Sequence, residues 1–363
     1  MLEILKYNNK SISLNINHQK YNLHAQWLYE ISKNTLIRDP YTNQLIIEVA
    51  EINKNLFIKQ AIIKNNALLI YFNDNSEHIF SKKQILNQLV KHNIKTEKKL
   101  WNKKTINLPK FNFKKFNQQM LLEILEAVER FGFCLIKNMP VKKNGINELT
   151  NHIGPIKNTN WGGIADVKSI KKAYDLTMTT TRALENHTDN PYRFPTQGYI
   201  FLHCLENSKF GGANTISDGF YIAEYLKKNF KDYFHTLTTF HTFFEYQDEN
   251  ACLQNNCTLI ELDNEKSVSQ VRYNNRTEIM PFKNQKDLDK YIEARRKFWS
   301  LIKSKTNNLE IKQQSGDMLI LDNYRVLHGR TGYKDTENKR YFRQGYMDRD
   351  ILQSKLKTLR ANS

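Results

Sequence analysis

Two polar segments, separated by a long stretch of short apolar runs, constrain the fold of this 363-residue chain most strongly. The first, LENHTDNPYR, carries His187 and Asp189, and the second, LILDNYRVLHGR, carries His328 after an apolar run. Alternate side chains of a strand share one face, so His187 and Asp189 can point toward the same ion. Taken alone, an H-x-D segment is more often an ordinary polar turn. A fold that returns His328 across 328 − 187 = 141 residues would complete a three-ligand site.

The residues around these segments predict a unit made mainly of short strands. The runs FCLIK, TQGYIFLHCLEN, HTLTTFHTFFEYQ, CTLIELD and SVSQVRYNN are rich in β-branched and aromatic residues and are separated by turn residues. Apolar residues at helical spacing predict helices over 121–131, from about 220 to 229, and over 286–304. Gly132 stands where a helix end favours a left-handed residue. This pattern favours a sandwich or barrel of the jelly-roll kind.

The chain is long enough for two domains. Residues 1–95 read as a small β-rich domain with the runs SISLNI, QLIIEVAEI, IKQAIIK and ALLIYF, closed by a helix in FSKKQILNQLVKH. Residues 96–115 are basic and polar, and we interpret them as a linker. Residues 116–363 form the second domain.

The amino-acid composition limits which binding partners and which cellular compartment are expected for the chain. The net charge is +18, but the lysines are scattered in pairs, which argues against a nucleic-acid site and favours an anionic small molecule. No apolar run approaches the ~20 residues of a membrane helix, and the start carries no secretory signal, so a cytoplasmic protein is expected. The four cysteines are irregularly spaced, which argues against a disulfide framework and makes Cys252-x4-Cys257 a weak zinc candidate.

Together, His187, Asp189 and His328 form the 2-His-1-carboxylate set expected of non-haem Fe(II) oxygenases, in which three coordination positions stay open. Arg340 and Arg343 follow in the next predicted strand. A guanidinium there can bind a carboxylate through two hydrogen bonds, a geometry that lysine lacks.

With these motifs in order, the chain resembles the γ-butyrobetaine and trimethyllysine dioxygenases, a branch of the Fe(II)/2-oxoglutarate-dependent, taurine-dioxygenase-like superfamily. The matching segments are HTDNPYR, FLHCLEN, GGANTISDGF, VRYNNR, DNYRVLHGR and RQGYMDRD, with HAQWLYE in the leading domain. The resemblance implies a mainly β fold with some α structure: a double-stranded β-helix (jelly-roll) catalytic domain and a small β-rich N-terminal domain.

The resemblance also assigns roles to residues of the second domain. It implies that His187, Asp189 and His328 bind Fe(II), and that 2-oxoglutarate and O2 are co-substrates, with ascorbate as an assisting reductant. Arg340 is expected to hold the distal carboxylate of 2-oxoglutarate, and Arg343 its other end. Asn214 in GGANT is expected to donate a hydrogen bond to the co-substrate.

The substrate side departs from the family's aromatic cage for a trimethylammonium group, which works by cation–π attraction. Trp161 keeps one wall of that cage. Ala165, Thr179 and Asn190 stand where relatives place aromatic residues. The tyrosines that could compensate are Tyr174, Tyr192 and Tyr346. We expect Trp161 and Tyr192 to contact the substrate.

Asn274 and Asn275, in RYNNR, match a stretch that contacts substrate in relatives, and Arg276 could add positive charge there. The expected substrate is a small zwitterion that bears an amine or quaternary ammonium group and an acid. An aminoalkylphosphonate is the alternative, because a polar and basic pocket would suit that anion. A non-catalytic module that binds 2-oxoglutarate is a further alternative, and an enzyme acting on a nucleobase or protein side chain is a weaker one.

The leading domain also departs from the family. Relatives often carry a cysteine-rich zinc site in this domain, whereas residues 1–95 contain no cysteine. We therefore expect no zinc there. A homodimer is expected from the resemblance alone.

Overall fold

The computed structural model describes residues 2–90, 97–168, 180–334 and 340–362. It divides into two compact units, Met1–Lys95 and Thr96–Ser363, and both are built mainly from strands with some helices. Within the described ranges, no helix is both long and apolar enough to cross a membrane.

The first unit contains two antiparallel three-stranded sheets, in the orders β1-β2-β3 and β4-β5-β6. Alternating burial along β2 sends Ile12, Leu14 and Ile16 into the core. The elements of this unit are β1 Leu2–Tyr7, β2 Ser11–Ile16, β3 Gln19–His24, α1 Ala25–Glu30, a 3-10 helix Val49–Glu51, β4 Ile58–Lys64, β5 Ala67–Phe72, β6 Glu77–Ser81 and α2 Lys82–Val90.

One strand predicted for this unit is wrong. The run QLIIEVAEI contains an isolated β-bridge at Leu45 and the short 3-10 helix, where the side chain of Glu48 accepts a hydrogen bond from the Ala50 amide and starts a turn. Ile46 of this run is exposed. The other three predicted strands and the closing helix are present.

The second unit contains two larger sheets and two small ones. The strands are β7 Lys110–Asn112, β8 Phe133–Lys137, β9 Ile164–Lys168, β10 Leu184–His187, β11 Tyr199–Glu206, β12 Asn214–Asp218, β13 Thr242–Gln247, β14 Cys252–Cys257, β15 Ile260–Leu262, β16 Val268–Val271, β17 Glu278–Ile279, β18 Leu309–Ile311, β19 Met318–Asp322, β20 Val326–Arg330 and β21 Tyr341–Met347. The helices are a 3-10 turn Phe113–Lys115, α3 Gln118–Phe131, α4 Asn147–Thr150, α5 Gly219–Asn229, α6 Lys231–Thr239, α7 Gln285–Ile302 and α8 Arg349–Asn362.

The larger sheets have the strand orders β7-β8-β19-β11-β21-β9 and β10-β20-β12-β18, and the small ones β14-β13-β17 and β15-β16. One buried cluster joins Leu202 and Leu319 of the six-stranded sheet to Ile216 and Val326 of the four-stranded sheet. The opposite face of the six-stranded sheet packs on α3 and α8, where Phe201 meets their apolar residues. The strand period of two therefore divides β11 between two cores.

The predicted α3 is confirmed together with its end. Asn117 accepts a hydrogen bond from the Met120 amide at 2.8 Å and so caps the start of the helix. Gly132 ends it with φ of 81°, as its position predicted.

The segment interpreted as a linker is instead part of the second unit. Trp101 is only 1% exposed, its ring lies 4.9 Å from that of Phe133, and its indole N–H donates to the Phe131 carbonyl at 2.7 Å. β7 then pairs in parallel with β8. Ile106 and Leu108 pack against the same cluster as Trp101, and this apolar packing together with backbone pairing outweighs the polar composition of the segment.

The strand predicted in HTLTTFHTFFEYQ starts later than expected, because its first residues belong to α6. Phe234 and Leu237 lie three residues apart on the buried side of this helix. The hydroxyl of Thr236 donates to the Asp232 carbonyl at 2.9 Å, and that of Thr239 to the His235 carbonyl at 2.7 Å. Packing thus overrides the strand preference of the threonines.

Candidate active site

The structure brings together the three predicted metal ligands. His187 on β10 and His328 on β20 are direct partners across an antiparallel pair. Oδ1 of Asp189 lies 3.3 Å from Nε2 of His187 and 3.6 Å from Nε2 of His328. One donor atom from each residue falls within 4.8 Å of the others, and no other cluster of metal-binding side chains occurs in the described ranges.

The protonation of the three side chains suits a divalent cation. Nδ1 of His187 lies 2.7 Å from the Glu185 carbonyl, so it carries the ring proton and leaves Nε2 free to bind a metal. Burial lowers the pKa of His328 to about 4, although Asp189 opposes that shift, so its ring is neutral at pH 7. Burial favours the protonated form of Asp189, but the two histidines and Tyr346 hold its pKa well below the usual range. Two imidazoles and one carboxylate are the donor set that fits Fe(II).

The backbone of Asp189 is held by the amide side chain of Asn323. Oδ1 of Asn323 accepts from the Asp189 amide at 2.7 Å, and its Nδ2 donates to the Asp189 carbonyl at 2.9 Å. The second oxygen of the Asp189 carboxylate, Oδ2, accepts from Nε2 of Gln344 at 2.7 Å and from the Tyr346 hydroxyl at 2.8 Å. The described contacts therefore leave Oδ1 facing the histidines.

The neighbours of Asn323 in the DNYR segment stabilise the same region. Asp322 forms an ion pair with Arg349 at the start of α8. Arg325 binds Asp218 through two hydrogen bonds, from Nε to Oδ1 at 3.0 Å and from Nη2 to Oδ2 at 2.8 Å. This segment therefore anchors the loop before β20 as well as the carboxylate ligand.

The three ligands line a cavity that opens to solvent, with an empty volume of about 880 Å³ when the space at its mouth is counted. Asn214, Arg330 and Arg340 also line it. Its remaining lining includes Trp161, Asn190, Gln344 and Tyr346, together with the small residues Gly162, Gly163 and Ala165.

Arg340 supplies a buried positive charge to the cavity. It is 5% exposed, and no acidic side chain of the described residues forms an ion pair with it. Burial and the charge of Arg330 lower the pKa of Arg340 to about 10, so it remains charged at pH 7. Its Nη2 donates to Oδ1 of Asn214 at 3.2 Å, and the Phe342 ring lies 4.0 Å from its Cζ. A buried guanidinium without a protein carboxylate is suited to an anionic ligand.

Residues 93–346 match the family described as taurine catabolism dioxygenase TauD, TfdA family. The chain belongs to the TauD/TfdA family. It is 29% identical over 243 residues to gamma-butyrobetaine dioxygenase of Homo sapiens, and the aligned region covers 65% of this chain and 62% of the human one. It is 26% identical over 329 residues to mitochondrial trimethyllysine dioxygenase of Rattus norvegicus, with 85% and 77% covered. The chain thus spans less than two thirds of the human gamma-butyrobetaine dioxygenase.

A solved taurine dioxygenase from Burkholderia xenovorans has the same fold. The superposition gives a TM-score of 0.51 at 11% sequence identity and covers 64% of this chain and 82% of that one. The family resemblance inferred from the motifs is therefore confirmed, and the mainly β architecture is that of a TauD/TfdA protein.

Arg343 does not reach the cavity of this TauD/TfdA protein, contrary to the prediction. It forms an ion pair with Asp166, and its Nη2 and Nε donate to the carbonyls of Ile164 and Lys143, each at 3.1 Å. Gln344 and Tyr346 occupy the other face of β21 and line the cavity. Side chains alternate between the two faces of a strand. Arg343 lies three residues after Arg340, an odd number, so its side chain points to the face away from the cavity.

Asn214 lines the cavity, and its side-chain amide has two hydrogen-bond partners in the protein. Its oxygen accepts from Arg340, and its Nδ2 donates to Gln313. In the structure Asn214 therefore orients the cation, and because Nδ2 carries a second hydrogen, its donation to the co-substrate stays a prediction.

Of the predicted substrate residues, Trp161 lines the cavity and Tyr192 does not. The Trp161 ring meets Tyr246 edge-on at 5.0 Å, and Cζ of Arg193 lies 5.1 Å from its centroid. Tyr192 is buried behind the wall, where its hydroxyl donates to Oδ1 of Asn190 at 2.8 Å. Tyr192 therefore supports Asn190, which is itself a lining residue.

Asn274 and Asn275 also lie away from the cavity lining. Asn274 is buried, and its Nδ2 donates to the carbonyl of Thr188 at 3.1 Å, so it supports the backbone between two ligands. Asn275 is exposed on another surface, beside Arg295. Tyr174 and Thr179 lie outside the described residues.

Sequence reasoning did not assign Gln344 or Arg330, and it left Tyr346 unplaced. The signal that could have found them is again the strand period. Arg330 is two residues after His328, and Gln344 is four residues after Arg340, so each shares a face with a residue that was identified.

Proposed function

We propose that this TauD/TfdA-family protein is an Fe(II)- and 2-oxoglutarate-dependent dioxygenase that hydroxylates a small acid bearing a quaternary ammonium or amine group. The observation that carries the proposal is the convergence of His187, Asp189 and His328 on a cavity that also contains the buried cation Arg340. The dioxygenase names of the relatives support the same reaction class.

The arrangement of the larger sheets supports a double-stranded β-helix. The four-stranded and six-stranded sheets share one buried cluster, as the two sheets of such a fold do. The metal ligands and Arg340 would then lie at the inner mouth of this core, each carried by a strand or by the residues that adjoin one.

His187, Asp189 and His328 would hold the iron, with Oδ1 of Asp189 and the two Nε2 atoms as donors. Bound Fe(II) would supply the chemistry that couples O2 and the decarboxylation of 2-oxoglutarate to hydroxylation of a C–H bond. Arg340 would bind the distal carboxylate of 2-oxoglutarate, and Asn214 would keep its guanidinium in place. Ascorbate would help by keeping the iron reduced.

The substrate would lie against Trp161 and Tyr346. Both present aromatic surface to the cavity, and aromatic faces attract a quaternary ammonium group. Gly162, Gly163 and Ala165 leave room beside them. The substrate's acid group would be favoured by the chain's net charge of +18.

Replacing Trp161 with alanine is expected to raise KM for γ-butyrobetaine or trimethyllysine by about 2- to 30-fold, because a cation–π contact contributes ~0.5–2 kcal/mol. The KM for 2-oxoglutarate should change little. Steady-state kinetics with each co-substrate varied in turn measures both. Trp299→Ala, which changes a tryptophan outside the cavity, serves as the control. An unchanged amine KM in Trp161→Ala would remove Trp161 from the substrate site.

The proposed reaction is tested by succinate formation from 2-oxoglutarate with Fe(II), ascorbate and O2. Turnover should be stimulated by γ-butyrobetaine or trimethyllysine and should fall to background in His187→Ala, because two ligands hold the ion poorly. His241→Ala, an exposed histidine outside the cavity, should match the wild type. Absence of succinate from a wild-type protein that binds 2-oxoglutarate would favour a non-catalytic binding module.

An aminoalkylphosphonate is the second candidate substrate. Arg330 lines the cavity in addition to Arg340, and a second guanidinium would suit a phosphonate. Stimulation of succinate formation by 2-aminoethylphosphonate, without stimulation by the two trimethylammonium compounds, would select this candidate.

A further inference from the structure

We propose that Gln344 and Tyr346 are positioning residues that fix the Asp189 carboxylate so that it offers a single oxygen, Oδ1, to the metal. The inference deepens the proposed function and rests on it, since it concerns the ion that Asp189 would bind. Neither side chain contacts that ion in the proposed role, because both act through Asp189.

Gln344, Tyr346 and Asp189 form a closed set of three hydrogen bonds. Nε2 of Gln344 donates to Oδ2 of Asp189 at 2.7 Å and to the Tyr346 hydroxyl oxygen at 2.6 Å. The Tyr346 hydroxyl then donates its proton to the same Oδ2 at 2.8 Å. Because the Tyr346 oxygen accepts from Gln344, its own proton is directed at Asp189.

The two donor residues lie on β21, a strand that is paired with a neighbouring strand on each side. β21 lies inside the six-stranded sheet, where Gln344 is paired with Leu202 of β11 on one side and with Ala165 of β9 on the other. Tyr346 is paired with Ile200 of β11. A strand held in this way fixes the donors, and the donors fix the rotation of the carboxylate.

The consequence is a carboxylate whose two oxygens have different roles. Oδ2 is saturated by two donors, whereas Oδ1 lies within 3.6 Å of both ligand Nε2 atoms. Without the donors, the carboxylate would rotate or present both oxygens, and it would use one of the coordination positions that the co-substrate requires. Hydrogen bonds to a metal ligand typically change metal affinity 10- to 100-fold when they are removed.

The structure also separates two properties of Tyr346. Its ring lines the cavity, whereas its hydroxyl is used by Asp189 and Gln344. Tyr346→Phe therefore removes the positioning contact and keeps the aromatic wall. The same strand supplies a matched control in Tyr341, whose hydroxyl donates to Oδ1 of Asp166 at 2.8 Å on the opposite face.

The test is the dissociation constant of Mn(II), which is stable in air, measured by calorimetry on the metal-free full-length protein without turnover. We expect Tyr346→Phe and Gln344→Met each to weaken Mn(II) binding by about 10- to 100-fold. Tyr341→Phe should bind Mn(II) as the wild type does. Thermal melting of each metal-free variant verifies that the protein measured is folded.

Wild-type affinity in both Tyr346→Phe and Gln344→Met would overturn the inference and leave the proposed function standing. An equal loss of affinity in Tyr341→Phe would also overturn it, because the effect would then belong to the strand as a whole. If the wild type bound no Mn(II), the proposed metal site itself would fail, so the two failures are distinguishable.

Discussion

Replacing Arg340 with methionine is expected to weaken 2-oxoglutarate binding by about 30- to 3000-fold. Removing one partner of a buried, hydrogen-bonded charge pair costs ~2–5 kcal/mol, and each 1.4 kcal/mol is tenfold in affinity. Arg340 is 5% exposed and, within the described residues, has no carboxylate partner, so its charge is available to a ligand. Methionine keeps much of the volume against Phe342 and removes the charge.

The measurement is the KM for 2-oxoglutarate in the succinate assay, supported by direct titration of the co-substrate. Arg343→Met is the matched control. Arg343 belongs to β21, which begins directly after Arg340, but its side chain faces away from the cavity toward Asp166. Its KM should stay within about twofold of the wild type, because partly exposed ion pairs contribute little. A similar rise in KM in both variants would show that the identification of the co-substrate cation is wrong.

The largest loss of stability is expected from Arg325→Met. The side chains of Arg325 and Asp218 are 1% and 0% exposed, and two hydrogen bonds join them. Removing one partner of such a pair leaves an uncompensated buried charge, which costs ~3–5 kcal/mol. The guanidinium also donates to the carbonyls of Arg130 and Lys99, at 2.9 and 2.6 Å, so the variant leaves those acceptors without this partner.

Denaturant unfolding of the full-length variant measures this loss in the free energy of unfolding. Lys142→Met removes an ion pair with Glu148 whose side chains are 55% and 38% exposed, and it should change stability by at most ~1 kcal/mol. Asp218→Asn should resemble Arg325→Met. A loss below about 1 kcal/mol in both buried-site variants would contradict the assigned role of this pair.

The metal ligands could be predicted because their signal is local. The two-residue spacing of His187 and Asp189 predicts that both side chains point the same way, and His328 follows an apolar run that ends in polar residues. Arg343 was predicted to bind the co-substrate because of its position in the family motif. Alternation of side chains along the strand, which turns Arg343 away from the cavity, was not taken into account. Asn274 was placed at the substrate on the same grounds, whereas its amide supports the backbone at Thr188.

Long-range packing explains the other differences between prediction and structure. The polar composition of residues 96–115 could not reveal that Trp101 packs on Phe133, which lies 32 residues further along the chain. The positioning role of Gln344 and Tyr346 depends on hydrogen bonds to a residue 155 or more positions away. Such contacts follow from sheet order, which local patterns do not specify.

The measurement that tests the central claim most directly is the fate of 18O2 during turnover. With 2-oxoglutarate, Fe(II), ascorbate and each of γ-butyrobetaine, trimethyllysine and 2-aminoethylphosphonate, mass spectrometry should find one heavy oxygen in succinate. For the true substrate it should find the second in the new hydroxyl group. Both labels should be lost in His187→Ala. Wild-type protein that binds 2-oxoglutarate and Fe(II) but yields unlabelled products, or none, would contradict the assignment as a dioxygenase.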